Sequence, residues 1–436
     1  MIEPRPYQTS GLDLARAQFK AGKRRVLIVA PTGAGKTIIF SLIVLGHLAK
    51  GGRVLVVVHR RELIRQTLAK MIAAGVERVG VIAAGWPADP DAPVQVASIQ
   101  TLLARDAALP PATLVVFDEC HHFVAEQWGT VGAHYASAKI VGVTATPERG
   151  DGTPLGDLFD VLVPLVSVRE LTDLGFLVPC SVIAPPTKTK KNSAHPVDAY
   201  EKHAKGRKAV VFAASVEAAY ALAEQFTAKG YPAACVEGDT PADERDAILD
   251  RFARGELQIL TNVLCLTEGW DCPSVSCAIL ARGCSATGTF LQMVGRVLRP
   301  SPETGKVDAL VLDLRGVVHD HGLPDQGRTF SLEGRAISGG DAPVRTCPEC
   351  EHVIPLCSRA CPECGAALST SDKGLDVAPM KLGRISKANL ERAYWDEQIA
   401  IARARGYRLG WVAHRWQEKF GRFPAKFWRE ASRRAA

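Results

Sequence analysis

The chain has 436 residues, 47% hydrophobic and 23% charged, the proportions of a soluble globular protein with room for about three domains. No apolar run approaches the ~20 residues of a membrane span, and Met1 to Ser10 has neither the basic start nor the apolar core of a leader, so a cytoplasmic location is expected. Residues 381–436 hold 14 Lys and Arg against 5 Asp and Glu, whereas residues 1–380 hold 39 against 41, and this basic tail on a near-neutral body points to an anionic partner.

Arg5-Pro6-Tyr7-Gln8 opens a helical pattern that runs to about Phe19. Gln8 there can read an adenine edge with both ends of its amide, or serve as a helix cap. Val26 to Val29 then reads as a buried strand and Ile38 to Leu45 as a helix, and between them stands Ala30-Pro31-Thr32-Gly33-Ala34-Gly35-Lys36-Thr37. Glycines at 33 and 35 let the backbone curl until successive N–H groups and the helix start face a phosphate. Lys36 is placed to reach the β- and γ-phosphates and the Thr37 hydroxyl to ligate Mg²⁺, so ATP or GTP binding is expected, although Ala30 stands where the strict pattern has Gly.

Strand and helix patterns alternate from there: Val54 to Val58, Glu62 to Ile72, Val94 to Ala97, Ile99 to Ala104, Leu114 to Phe117 and Ile140 to Val143. This is the pattern of a parallel sheet with crossover helices. Asp118-Glu119-Cys120-His121-His122 follows one strand, where Asp118 can hold Mg²⁺ and Glu119 can orient or deprotonate water. Adjacent residues on one loop are poorly placed to supply four tetrahedral ligands, which disfavours a Cys/His metal site there. Thr144-Ala145-Thr146-Pro147 closes the next strand.

A linker rich in Pro and Lys, Ala184 to Pro196, leads to a second series: Ala209 to Phe212, a helix pattern from Val216 to Ala228, then Ala233 to Val236, Gln258 to Thr261 and Cys277 to Leu280. It carries Thr267-Glu268-Gly269-Trp270-Asp271 and Gln292 to Pro300. Arg296 and Arg299, three apart, are expected on one helix face, where both guanidinium groups can point at one anion.

Together with His59-Arg60-Arg61-Glu62-Leu63, these motifs resemble, in order and spacing over about 300 residues, those of the superfamily 2 helicases of the DExH type. Arg149 to Gly152, Leu155 to Asp160 and His321 to Pro324, followed by clustered cysteines, are similar to the RadD group of bacterial and phage DNA repair ATPases, although Leu314-Arg315 departs from its usual His-Ala. The resemblance implies two tandem RecA-like lobes, spanning 1–180 and 181–330, with ATP between them. It implies that Arg5, Gln8, Pro31, Thr32, Gly33, Ala34, Gly35, Lys36, Thr37, Gly269 and Asp271 contact the nucleotide. By the same resemblance Thr37 and Asp118 hold Mg²⁺, Glu119 activates water, and Arg296 and Arg299 are arginine fingers. His121, Gln292, Thr144 and Thr146 would couple hydrolysis to lobe movement, and Arg60, Ser98, Thr101 and Thr267 would touch nucleic acid.

Gly316 to Arg345 reads as a linking segment. Beyond it, Cys347-Pro-Glu-Cys350 and Cys361-Pro-Glu-Cys364 form two Cys-x-x-Cys knuckles, each able to grip one side of a tetrahedral Zn²⁺, so a zinc ribbon is expected over 341–368; Cys357 is a further candidate ligand. In residues 381–436, Leu390, Tyr394, Ile399, Ile401, Trp411, Trp416, Phe420, Phe427 and Trp428 alternate with arginines, the pattern of a small helical module with a cationic face for nucleic acid. The expected whole is an α/β protein, an ATP-driven motor or remodelling enzyme on DNA, single-stranded or branched, with ATP, Mg²⁺ and Zn²⁺ as cofactors. An RNA helicase, an ATP-gated recruitment module and the motor subunit of a restriction-type nuclease are the alternatives; no separate cluster of acids and lysine supports the last.

Overall fold

The computed structural model describes residues 4–59, 61–104, 109–122, 125–148, 154–337, 344–355, 358–368, 395, 398–399, 402 and 409–420. Residues 1–369 form one compact unit and 370–436 a second. No helix among the described residues is long and apolar enough to cross a membrane.

The first lobe is built on seven parallel strands: β1 (Arg25–Val29), β2 (Val54–Val58), β3 (Val79–Ile82), β4 (Val94–Ser98), β5 (Leu114–Asp118), β6 (Lys139–Thr144) and β7 (Val161–Pro164), in the order β3-β4-β2-β5-β6-β1-β7. The central strands are continuous apolar runs because helices cover both faces of the sheet. Three of those helices are α1 (Pro6–Lys20), α2 (Lys36–Leu48) and α3 (Arg61–Ala73); the short α4 (Ile99–Ala104) follows β4. In register, Val29 stands beside Thr144 and Val143 beside Asp118, so the loops leaving β1, β5 and β6 open at the same edge. That edge is where ligands bind in sheets of this kind.

The second lobe has six parallel strands, β8 (Cys180–Ile183), β9 (Ala209–Phe212), β10 (Ala233–Cys235), β11 (Ile259–Asn262), β12 (Cys277–Leu280) and β13 (Ala309–Asp313), ordered β10-β11-β9-β12-β13-β8. The segment expected to be a linker, Gly316 to Arg345, is structured in its described part. It carries a short helix, Val318–His321, and a hairpin of β14 (Thr329–Ser331) and β15 (Gly334–Ile337). Phe330 and Leu332 pack on the first lobe's core around Leu155 and Phe159, and Gly156 N–H donates to the Leu332 carbonyl at 2.8 Å. Gly, Pro and Asp mark the turns of this strap, so composition alone reads as a loop while two apolar side chains dock it.

The two Cys-x-x-Cys knuckles flank an antiparallel pair, β16 (Val344–Thr346) and β17 (Val353–Pro355). The ribbon leans on the edge strand of the second sheet: Ile183 bridges to His352, Ser181 Oγ donates to Glu363 at 3.0 Å, and Lys202 Nζ reaches Glu351 at 2.8 Å. In the unit 370–436, a helix spans Leu409–Phe420, and Trp395, Ala402, Val412 and Trp416 form a small core with the two indoles edge to face at 5.6 Å. Leu390, Tyr394, Ile401, Phe427 and Trp428 lie outside the described residues.

Candidate nucleotide site between the lobes

The loop after β1 takes a conformation that only glycine accepts easily. Gly33 (φ +91°) and Gly35 (φ +75°) both lie in the left-handed region, and Gly35 caps α2. The loop is pinned from behind, where Tyr7 Oη and Gln8 Nε2 donate to the Ala34 carbonyl at 2.8 and 3.0 Å. Gln8 Oε1 in turn accepts from Arg5 N–H at 2.9 Å, and the Arg5 guanidinium lies 4.1 Å over the Phe176 ring. Both polar ends of Gln8 are therefore engaged within the chain.

Facing the loop, Glu119 has φ +48°, an uncommon and strained value for a residue with a side chain. This turn brings Glu119 Oε1 to 3.2 Å from Lys36 Nζ, with Oε2 at 3.6 Å from His121 Nδ1. Burial is the largest single effect on the Glu119 carboxyl and works to raise it, but Lys36, through its charge and hydrogen bond, and the neighbouring His121 together outweigh it and hold the group below its ordinary range. Asp118 goes the other way: burial first, and then the Glu119 charge, push it up to about 7. Cys120 beside it is buried in the core and its thiol is pushed well up by burial, so it is a packing residue.

From the second lobe, the helix Thr287–Gly295 meets the loop so closely that a Cβ on Gly295 would stand 2.5 Å from Thr32 Cβ. Arg296 and Arg299, expected on one helix face, instead follow the end of this helix on a turn. The turn still carries both into the cleft, because the chain reverses there against the 268–271 loop. Arg296 donates to the Trp270 carbonyl and Arg299 pairs with Asp271. Arg296 Nε is buried without a hydrogen-bond partner among the described residues. A buried guanidinium N–H with no acceptor is costly, and a phosphate oxygen is a suitable acceptor for it.

The result is one cleft of about 310 Å³ lined by Thr32, Gly33, Gly35, Lys36, Thr37, Asp118, Glu119, Gly269, Asp271, Arg296 and Arg299 from the sequence-derived set. Gln66, Thr67 and Lys70 of α3, together with Glu268 and Trp270, also line it. Gln66, Thr67 and Lys70 lie beyond the His59-to-Leu63 motif and carried no signal of their own, because three polar residues on a helix read like any solvated face.

Among the residues expected to couple the lobes, Thr144 Oγ1 lies 2.8 Å from His121 Nδ1 and donates to the Thr146 carbonyl at 2.7 Å. Gln292 Nε2 reaches His121 Nε2 at 3.3 Å across the lobes. Of the residues expected to touch nucleic acid, Arg60 lies outside the described residues. Ser98 and Thr267 are buried. The Ser98 hydroxyl accepts from Thr101 N–H at 3.2 Å at the start of α4, and Thr267 Oγ1 donates to the Leu264 carbonyl at 2.6 Å. Neither hydroxyl faces solvent in this arrangement of the lobes.

In the ribbon, Cys347 Sγ and Cys364 Sγ are 3.8 Å apart, Cys350 Sγ and Cys361 Sγ 3.6 Å, and all four sulfurs lie within 4.8 Å of one another. Tetrahedral Zn–S bonds of ~2.3 Å place sulfurs ~3.8 Å apart, so the four thiols fit that ion. Cys357 lies outside the described residues.

Residues 1–149 match the family profile of the type III restriction enzyme res subunit, and residues 192–301 that of the helicase conserved C-terminal domain. The chain is similar to a 51.5 kDa protein of a Lactococcus phage (isolate 7-9), with 30% identity covering 80% of this chain and 79% of the phage protein. It is also similar to the DNA 3'-5' translocase XPB2 of Sulfurisphaera tokodaii, with 24% identity covering 72% and 81% of the two chains. Its fold resembles a fragment assigned to the HsdR subunit of a type I restriction enzyme from Vibrio vulnificus YJ016, at a TM-score of 0.60 and 23% identity, covering 77% of this chain and 67% of that one. With the 30–37 loop, the paired acids and the two arginines gathered at one cleft, the chain belongs to the DExH-type helicases and ATPases of superfamily 2 and is an ATP-hydrolysing enzyme.

Proposed function

We propose that the chain is an ATP-driven motor acting on DNA, related to the RadD group, in which nucleotide binding draws two lobes together along a strand. One observation carries this reading: Arg296 and Arg299 of the second lobe open into the same cleft as Lys36, Asp118 and Glu119 of the first. Hydrolysis then depends on how the lobes meet, which is what a motor needs to link chemistry to movement.

Within this reading, the loop N–H groups and Lys36 bind the phosphates. Thr37 and Asp118 would hold Mg²⁺, which supplies charge neutralisation when bound. The residues fit that ion because Lys36 already pairs with Glu119, leaving Asp118 a buried carboxyl that a cation would ionise. Glu119, ionised, orients water and accepts its proton, and Arg296 and Arg299 stabilise charge on the transferring phosphoryl group. Adenine recognition by Gln8 requires one of its two internal amide bonds to be exchanged for the base. Cys347, Cys350, Cys361 and Cys364 would hold Zn²⁺ as a structural ion. The likeness to a DNA translocase, together with the basic tail, favours DNA over RNA.

The test is the initial ATPase rate with single-stranded, duplex and forked DNA and with RNA at one salt concentration. Stimulation by one of the DNA forms is expected. Stimulation by RNA alone would move the substrate to RNA, and equal rates with all ligands and none would remove the motor.

A further inference from the structure

A buried carboxylate crosses from the second lobe into the first. Glu268 stands between two histidines, with Oε2 at 2.9 Å from His59 Nε2 and Oε1 bonded to His122 Nε2. The two imidazoles stack at 4.4 Å, which sets both to face the same carboxylate. His59 leaves the end of β2 and His122 closes the turn after β5, so two loops at the ligand-binding edge of the first sheet grip one side chain of the second lobe. The next residue is held as well: Gln66 of α3 donates to the Gly269 carbonyl, and a Cβ on Gly269 would sit 3.1 Å from Leu63.

The stretch so anchored is the one that orients the arginines. Arg296 is bonded to the Trp270 carbonyl and Arg299 to the Asp271 carboxylate. A line of contacts thus runs from His59 and His122 through Glu268 to residues 269–271 and on to both guanidinium groups. When the lobes part, Glu268 loses both imidazoles and must return to water. The grip is therefore available only in the closed arrangement, and a contact made in one state alone biases the equilibrium toward it.

We propose that Glu268 is a positioning residue for ATP hydrolysis: gripped by His59 and His122, it seats the Gly269–Asp271 turn and so aims Arg296 and Arg299 at the nucleotide only when the lobes are closed. This rests on the reading of the two arginines as groups acting on the transferring phosphate. Glu268 itself need not touch the nucleotide. Misplacing a catalytic group by an ångström costs on the order of 10²-fold in rate, so loss of the grip should be read in kcat.

The experiment measures DNA-stimulated ATPase kinetics and binding of a fluorescent ATP analogue for the full chain, with Glu268→Ala, Glu268→Gln, His122→Ala and Arg296→Ala compared to the unaltered protein. Glu268→Ala should lower kcat by about 10²-fold while KM and analogue affinity stay within about threefold, and Glu268→Gln, which keeps the shape and one acceptor, should recover at least about tenfold of that loss. His122→Ala, at a partly exposed side chain that the core does not need, should lower kcat by about tenfold and serves if Glu268→Ala does not fold. A kcat for Glu268→Ala within about threefold of the unaltered protein, or equal losses in kcat and analogue binding with no recovery by Gln, would overturn the positioning role. Undiminished hydrolysis by Arg296→Ala would instead remove the reading of the arginines on which it rests.

Discussion

Gln292 Nε2 of the second lobe lies 3.3 Å from His121 Nε2 of the first, and the far side of the same imidazole lies 2.8 Å from Thr144 Oγ1. Burial, followed by the neighbouring His122, lowers His121 to about 4, so the ring is neutral near pH 7. A neutral ring has one donor and one acceptor, and the contacts assign them. The Gln292 amide donates to Nε2, and Nδ1–H donates to Thr144, whose hydroxyl donates onward to the Thr146 carbonyl at 2.7 Å. The lobe contact and the end of β6 are thereby joined by one directed chain of hydrogen bonds.

That chain predicts non-additive mutants. His121→Ala and Gln292→Ala should each reduce stimulation of hydrolysis by DNA, and the double variant should be little worse than either alone, with a coupling energy of about 0.5–3 kcal/mol. Strictly additive losses in a double-mutant cycle would mean that the two side chains act separately.

The same histidine predicts an acid dependence. Its folded value of about 4 lies below the ordinary 6.5, so the unfolded chain binds the extra proton between those pH values. Stability should therefore fall as pH drops from 6.5 toward 4, by up to about 3 kcal/mol for this group, and level off below. His121→Gln cannot take up the proton, so its melting midpoint should fall less than that of the unaltered protein between pH 7 and pH 5. Parallel melting curves for the two would remove His121 as a source of acid sensitivity.

Arg296 and Arg299 should separate binding from chemistry. Arginine fingers are worth ~10³–10⁵ in rate because they meet charge that develops only during transfer. Arg296→Ala and Arg299→Ala should each bind ATP nearly as well as the unaltered chain and hydrolyse it far more slowly, as single-turnover rates beside equilibrium binding would show. Proportional loss of both would make them ground-state ligands.

The ribbon should depend on its metal, and the second lobe should feel its loss. Elemental analysis is expected to find about one zinc per chain, through the four-thiol geometry. Removal by a chelator, or Cys361→Ser, should unfold the ribbon and free the β8 edge that Ile183 and Ser181 now share with it. An uncovered strand edge invites association, so light scattering on heating should rise earlier. A metal-free chain with an unchanged melting curve would show that the ribbon contributes nothing to the lobe.

The tail should set salt dependence. A chain ending near Ser371 loses the excess of positive charge in residues 381–436 but keeps both lobes and the ribbon. Its DNA affinity should fall and its log–log salt slope should flatten, by roughly 0.9 per lost phosphate contact on duplex and 0.7 on a single strand. An unchanged slope would assign the tail to packing or to a protein partner.

The residues at the centre of the cleft were legible in the sequence because each part obeys a local constraint. Gly33 and Gly35 are needed for backbone angles, Lys36 and Thr37 follow at fixed offsets, and Asp118 ends an apolar run that only a strand covered on both faces explains. The cysteine knuckles are local in the same way. What tertiary structure alone decided is every relation between distant loops. The strap around Phe330 and Leu332 looked like a linker because two apolar residues make no period. Arg296 and Arg299 reach one cleft through a turn at the helix end, where a three-residue spacing suggested a continuous face. Ser98 and Thr267 turn inward to satisfy nearby backbone groups, the Thr101 N–H in the first turn of α4 and the Leu264 carbonyl in the loop after β11. Glu268, His59 and His122 come from three separate motifs, and no spacing within any one of them records their meeting. A strand or a phosphate loop is encoded by neighbours in sequence, whereas a contact between lobes is fixed by how two folded sheets pack, and that information is spread over the whole interface.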